Sequence, residues 1–395
     1  MDRNEKFILL LLAAVNFTNI LDFMVIMPLG NFLMPYFNIS AGKFAMVVAA
    51  YNFAAFFSGV IAAFVVDRFD RKHVLIFGYV GFLIGSFLCA IAPTYWLLMA
   101  ARVVSGLFSG LIGAQVMSIV ADIIPYERRG RALSWLMAAF SLASVLGVPL
   151  SLYLAKFYSW HAPFYFNLIT GFFVLIAIIK YVPSVKGHVA NIVPSINIKK
   201  TLTAVFIVPA QRAALLLSGS IMMGHFLIIP FINPYLEYNV GFTRDQTPMI
   251  YMVGGATTII SGLIWGRLAD RYGKLRIFTI AGFLSLFPVL LVTDMPKWPF
   301  ALVLVPFAFW FAMANGRTIT VQAMISQVVQ PENRGSFMSF NSSMQQLFTG
   351  AASIIAGFIV YSDNSYKIYN YHILGYISVS VIAICLLLAR RLKVK

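Results

Sequence analysis

The stretch VVDRFDRKHVLIFG, residues 65 to 78, sets six ionisable side chains between two apolar runs, in a chain that is 61% hydrophobic and only 11% charged. Charge gathered so tightly between apolar segments marks a water-exposed turn joining two membrane-spanning helices. Downstream, RLADRYGKLRIFTIAG at 267 to 282 repeats the arrangement. The two turns therefore imply a membrane protein with a duplication inside it.

The composition agrees with the first implication. A chain of 395 residues with 36 Phe, 6 Trp and a mean hydropathy of +0.86 is too apolar for a water-soluble core, since soluble domains are about half apolar and a quarter charged. Apolar runs of about 20 residues, each enough to cross ~30 Å of hydrocarbon as a helix, recur twelve times, from residues 7–35 to 370–389. Their continuity excludes a β-barrel, whose strands alternate in polarity. The first run contains Asp22 and Pro28 and has no small-residue cleavage site, so it is expected to stay as a helix rather than leave as a signal peptide.

The net charge of +16 raises nucleic acid as a partner, and the placement of the charges excludes it. With an even number of spans and both termini on one side, 22 of the 29 lysines and arginines fall in segments on that side and five in the opposite loops. This is the positive-inside pattern, which predicts cytoplasmic termini in a multi-pass protein of the plasma (inner) membrane. No soluble basic domain remains to bind nucleic acid. Cys89 and Cys385 lie inside apolar runs, and His73, His161, His188, His225 and His372 show no ligand spacing, so neither a disulfide, a metal nor another cofactor is expected. No phosphate-binding glycine loop or convergent catalytic set is present either, which argues against an enzyme.

The duplication can be measured. Ser58-Gly59 precedes Asp67-Arg68 as Ser261-Gly262 precedes Asp270-Arg271, an offset of 203 residues. Gln115-Val-Met with Pro125-Tyr-Glu-Arg-Arg-Gly130 is echoed by Gln322-Ala-Met with Pro331-Glu-Asn-Arg-Gly335 at 205 to 207. Two matches at nearly one offset predict two six-helix units, the sequence mark of many secondary transporters. The expected organisation is a bundle over 1–182, a cytoplasmic linker over 183–209 with a surface-lying helix, and a second bundle over 210–395.

The motif Ala63-x-x-x-Asp67-Arg68-x-Asp70-Arg71-Lys72, with Gly266-x-x-x-Asp270-Arg271-x-Gly273-Lys274, resembles the loop motif that follows the second and eighth helices of the major facilitator superfamily. Arg102-x-x-x-Gly106-x-x-x-Gly110 resembles that superfamily's proton-linked motif, and Leu21-Asp22-Phe-Met-Val-Ile-Met-Pro28-Leu the first-helix motif of its drug:proton antiporter branch. Ala63 and Asp70 stand where the family favours Gly, and Gly147-Val-Pro149 is only part of the antiporter motif of the fifth helix. The resemblance implies a monomeric, all-α protein of twelve transmembrane helices in two pseudo-symmetric bundles, exporting small organic molecules against protons by alternating access. It further implies a cytoplasmic gate at Asp67, Arg68, Arg71, Asp270, Arg271 and Lys274. There Asp67 faces the start of the eleventh helix near Pro331 and Glu332, and Asp270 faces the fifth near Arg129 to Arg131.

Two charged positions lie within the hydrocarbon. At ~1.5 Å per residue, Asp22 sits ~22 Å along the first helix and Arg102 ~9 Å in from the opposite surface, which brings them to similar depth. A lone acid there costs several kcal/mol, so Asp22 is expected either to carry a proton or to pair with Arg102, in a coupling role or as a permanent structural pair. Arg317, at the counterpart of Gly110, is expected to face the second half's cavity or to bond backbone carbonyls. Asn19, Tyr51, Asn52, His225, Asn233, Asn341 and Gln345 supply further polar groups for a cavity, with helix packing as the plainer role for each. With Asp22 protonated, Arg102 and Arg317 favour anionic, zwitterionic or polar neutral cargo. The alternative function is therefore a dedicated importer or exporter of an anionic metabolite or carboxylate siderophore.

Overall fold

The computed structural model describes residues 3–65, 69–124, 129–184, 208–329 and 334–392. Asp67, Arg68, Pro331, Glu332 and the expected surface helix of the linker lie outside the described residues. Eleven helical segments among the described residues are long and apolar enough to cross a membrane. The first half holds Arg3–Val25 with its continuation Gly30–Phe37, then Ala41–Val65, Arg71–Ala90, Tyr95–Ile123, Arg129–Leu142 running on to Val148–Phe157, and Ala162–Tyr181. In the second half come Pro209–Phe226, prolonged to Val240, then Thr247–Tyr272, Lys274–Thr293, Phe300–Ile325, Arg334–Ile359 and Tyr371–Arg391. These are spans one to twelve. Span eleven is as long as its neighbours, but Asn341, Ser342, Ser343, Gln345, Gln346 and Thr349 dilute its apolar character, as suits a helix packed inside the protein rather than against lipid.

The halves pack by the same plan. Span two lies on four, three on four, three on six, one on five and one on six; eight lies on ten, nine on ten, nine on twelve, seven on eleven and seven on twelve. Between the halves, span two packs on eleven and five on eight. Spans three, six and nine turn Phe77, Phe87, Phe172, Phe173, Phe283 and Phe287 outward, an apolar belt that matches lipid rather than water.

Small residues set the closest approaches. A Cβ on Gly106 would lie 2.2 Å from the Tyr51 carbonyl oxygen, and one on Gly110 would lie 2.3 Å from that of Ala55, so the glycine spacing after Arg102 lets span four touch the backbone of span two. Gly357 of span eleven meets Ala45 of span two in the same way, its added Cβ falling 2.5 Å from the alanine methyl.

Two of the spanning helices are broken partway. Span one turns at Ile26–Leu29 around Pro28, and span seven passes through a 3-10 turn at Ile229–Phe231 around Pro230. Proline supplies no N–H and clashes with the preceding turn, so each break frees backbone carbonyls. One is used between the halves: Asn233 Nδ2 donates to the Pro28 carbonyl at 3.0 Å. Span five carries a wide π-helical turn at Ala143–Gly147, and Val145 of that turn sits where a side chain on Gly255 of span eight would go.

The hydrogen bonds and ion pairs described between the halves lie on the side away from the chain termini. Tyr238 donates to the Asn31 carbonyl at 2.8 Å, the Ala41 amide to Ser362 Oγ at 3.1 Å, and Lys156 pairs with Asp245. Arg244 lies 3.6 Å from Glu237 and stacks on Phe32 of the other half. A two-strand hairpin, Tyr361–Ser362 with Ile368–Tyr369, supplies that serine. The apolar cores repeat the asymmetry. One cluster on this far side joins both halves through Leu33, Phe44, Phe231 and Ile232, whereas toward the termini the halves keep separate clusters around Tyr79 and Ile119 and around Phe278 and Met324. The molecule is thus closed on the far side. Gly357→Leu, whose side chain cannot fit against Ala45, is expected to hold the halves apart on the far side, read as faster thiol labelling of a cysteine introduced at Ser362. Labelling no faster than with Gly357 intact would contradict this closure.

Candidate functional site

Asp22 and Arg102 meet in the first half. Arg102 Nη1 donates to Asp22 Oδ2 at 2.6 Å and to the Asp22 carbonyl at 3.3 Å, and neither side chain has any exposure. Ser86 of span three donates to Asp22 Oδ1 at 3.3 Å. The Tyr51 ring of span two lies 4.3 Å from the guanidinium carbon, its hydroxyl 2.6 Å from Ser109 Oγ and 3.3 Å from Asn19 Oδ1. Phe23 stacks on the same tyrosine at 5.7 Å. Four helices thus converge on one ion pair, and a cation over an aromatic face in a desolvated site is worth up to about 2 kcal/mol. Arg102 Nε and Nη2 have no hydrogen-bond partner among the described residues.

The second half holds a different pair. Arg317 Nη2 of span ten lies 3.0 Å from His225 Nε2 of span seven, and the His225 ring sits 6.4 Å from that of Trp310. Of the other cavity candidates, Gln345 donates to Ser218 Oγ at 2.7 Å within this half. Asn341 is buried with Oδ1 unpartnered, and Asn52 donates to the Val48 carbonyl at 2.8 Å beside Gly350 of the other half. Asn233 stands apart in the far-side closure, bonded to Pro28 and accepting from the Tyr251 hydroxyl at 3.2 Å.

The gate candidates divide. Arg71 is buried and donates from Nε to Asp122 Oδ2 at 3.1 Å, tying the start of span three to the end of span four inside one half. Asp270, Arg271 and Lys274 lie at the end of span eight and the start of nine, where the Arg271 guanidinium lies 5.2 Å from the Tyr272 ring. The side chains of Arg129 to Arg131, the expected partners of Asp270, fall outside the described residues. Asp70 caps span three by accepting from the Lys72 amide at 2.9 Å and lies 3.2 Å from His73 Nδ1. Its position one residue before a helix start was the readable signal for this role. Ser86, Ser109 and Asp122 were missed; Ser109 follows Arg102 by two helical turns and could have been found by spacing.

The family model described as Major Facilitator Superfamily matches residues 12–222 and again 214–395. The chain belongs to this superfamily. It is a multi-pass membrane transporter of small molecules. The chain is 24% identical over 346 residues, 87% of each chain, to the uncharacterized MFS-type transporter YceJ of Bacillus subtilis (strain 168). It is 37% identical over 142 residues to multidrug resistance protein 3 of the same organism, covering 36% of this chain and 28% of that one. The crystal structure of a D-xylose-proton symporter shares the fold at a TM-score of 0.75, with 16% identity over 96% of both chains.

Breaking a buried ion pair by removing one partner costs about 3–5 kcal/mol, because the other charge is left uncompensated. Arg102→Gln is therefore expected to unfold at a clearly lower temperature than wild type in detergent, and Asp22→Asn/Arg102→Gln to recover part of the loss. Strictly additive losses would show that the two side chains do not act as a pair.

Proposed function

We propose that this transporter exports small organic molecules in exchange for protons by alternating access, with Asp22 as the proton carrier and Arg102 as the group that controls it. The observation that carries the reading is the fully buried Asp22–Arg102 pair with Tyr51 against its cationic member. Protonating Asp22 removes its attraction for Arg102 and leaves an arginine with two unpartnered nitrogens to find other acceptors. Tyr51 belongs to span two, and span two packs on span eleven at Asn52 against Gly350 and Ala45 against Gly357. A change in the pair thus acts directly on a helix that forms the contact between the halves, a physical route from proton to conformation. Export is favoured by the similarity to multidrug resistance protein 3 and by the antiporter-like residues around Asp22.

The termini are assigned to the cytoplasm of the plasma membrane from the excess of Lys and Arg on their side, and the far-side closure then corresponds to a state closed to the exterior. On this assignment the molecule works as a monomer, and Asp67, Arg68, Asp270, Arg271 and Lys274 close the cytoplasmic side in the alternate state. Arg71, already paired with Asp122, braces that gate from within the first half. A second reading, a dedicated carrier of an anionic metabolite, is favoured by Arg317, which has no carboxylate partner among the described residues.

The test is proton flux into liposomes holding a pH dye, under an imposed pH gradient, on adding lipophilic cations, carboxylates or sugars. Cargo-dependent flux is expected in wild type and is expected to be absent in Asp22→Asn. Equal fluxes in the two proteins would remove Asp22 from the coupling step, and binding without any flux would turn the reading toward a uniporter or receptor.

A further inference from the structure

His225 follows Asp22 by 203 residues, the offset that relates Ser58 to Ser261 and Asp67 to Asp270. One position of the duplicated unit therefore carries a carboxylate in the first half and an imidazole in the second. Each meets an arginine from the fourth helix of its own unit, Arg102 at 2.6 Å and Arg317 at 3.0 Å. The electrostatic outcomes differ. The first pair is neutral as a whole; the second keeps a full positive charge, because arginine has donors only and His225 Nε2, 3.0 Å from Arg317 Nη2, can accept from it only as the neutral ring.

Arg317 is 2% exposed and Trp310 3%. His225 from span seven lies in hydrogen-bond reach of the guanidinium, and among the described residues no Asp or Glu forms an ion pair with it. Two donors of this cluster, Arg317 Nε and Trp310 Nε1, have no partner among the described residues. A buried cation without an anion costs several kcal/mol, and unpaired buried donors add to that cost. The arrangement is complete only when an acceptor with negative charge enters. The surroundings fix its shape: Trp310 packs edge-on against Phe311 at 5.4 Å, an aromatic wall beside the two donors.

Building on the proposed transport of small organic molecules, we infer that Arg317, His225 and Trp310 form the cargo's anion-binding locus, which takes organic monocarboxylates with an apolar or aromatic body. The carboxylate displaces His225 Nε2 and takes the guanidinium edge at Nε and Nη2 as a two-point acceptor, the geometry arginine favours. The indole N–H is the third donor, and the body of the cargo rests on Trp310 and Phe311. Proton and cargo then occupy equivalent positions in opposite halves of the duplication.

The test is ligand protection against thermal unfolding of the purified full chain in detergent, without a gradient. It uses benzoate, hexanoate and benzamide as probes. Benzoate or hexanoate is expected to protect wild type, and neutral benzamide to bind at least about tenfold more weakly, as expected for loss of a charge-assisted two-point contact. Arg317→Gln is expected to lose carboxylate protection, and Trp310→Phe, which keeps the ring and drops the N–H, to weaken it severalfold. Unfolding temperatures without ligand report whether each variant folds; if Arg317→Gln does not, the contrast of benzoate with benzamide in wild type and Trp310→Phe decides. Failure of both carboxylates to protect wild type, benzamide binding as well as benzoate, or undiminished carboxylate protection in Arg317→Gln overturns the inference. Because no proton moves in this assay, a failed proton-flux experiment leaves its result intact, and Asp22→Asn is expected to bind carboxylate while losing coupled flux.

Discussion

A carboxylate and a guanidinium 2.6 Å apart, with no exposure on either side chain, constrain the first half of this protein more than any other contact. Their desolvation is tolerated only because the acceptors and donors around them come from four different helices. Spans one, two, three and four are held in register by that requirement, and the glycines after Arg102 let spans two and four come close enough to meet it. A buried ion pair of this kind specifies an arrangement because moving either helix would leave the other charge uncompensated. The pair is therefore the centre of packing in this half.

The second half follows the same helix plan with other chemistry. Its spans pair in the same order as those of the first, yet His225 replaces the acid and Arg317 approaches from a position about two turns further along its helix than the counterpart of Arg102. Of the 29 basic residues, all but Arg102 and Arg317 belong to the segments and loops at the two surfaces. These two each anchor one half. Duplication supplied the scaffold, and substitution at equivalent positions made the halves unequal.

Closure between the halves rests on weaker and more numerous contacts. The proline breaks at Pro28 and Pro230 are joined through Asn233, and the remaining bonds involve loops, a short hairpin and surface charges on the far side. Each is modest on its own, since single hydrogen bonds contribute about 1 kcal/mol and exposed ion pairs less. An interface built this way can open without disturbing the buried networks inside each half, so a rigid-body exchange of closed sides needs no unfolding of either bundle.

Much of this was legible in the residues themselves. Hydrophobic length defines spanning helices, charge asymmetry orients them, and a repeated turn reveals duplication, because all three depend on local composition along the chain. The depth of Asp22 and Arg102 could also be read, since a helix converts residue count into distance. Partner choice could not. Arg71 pairs with Asp122 of its own half and Asn233 with the Pro28 carbonyl of the other, and neither partner can be read from spacing. Nothing in the sequence announces Ser86 against Asp22, or that His225, the counterpart of Asp22 in the repeat, lies 3.0 Å from Arg317. What the sequence determined by itself was the membrane fold, its repeat and the presence of buried charge; only the tertiary structure decided which groups neutralise which, because rotation of one helix about its axis against another sets those distances and leaves no trace in spacing.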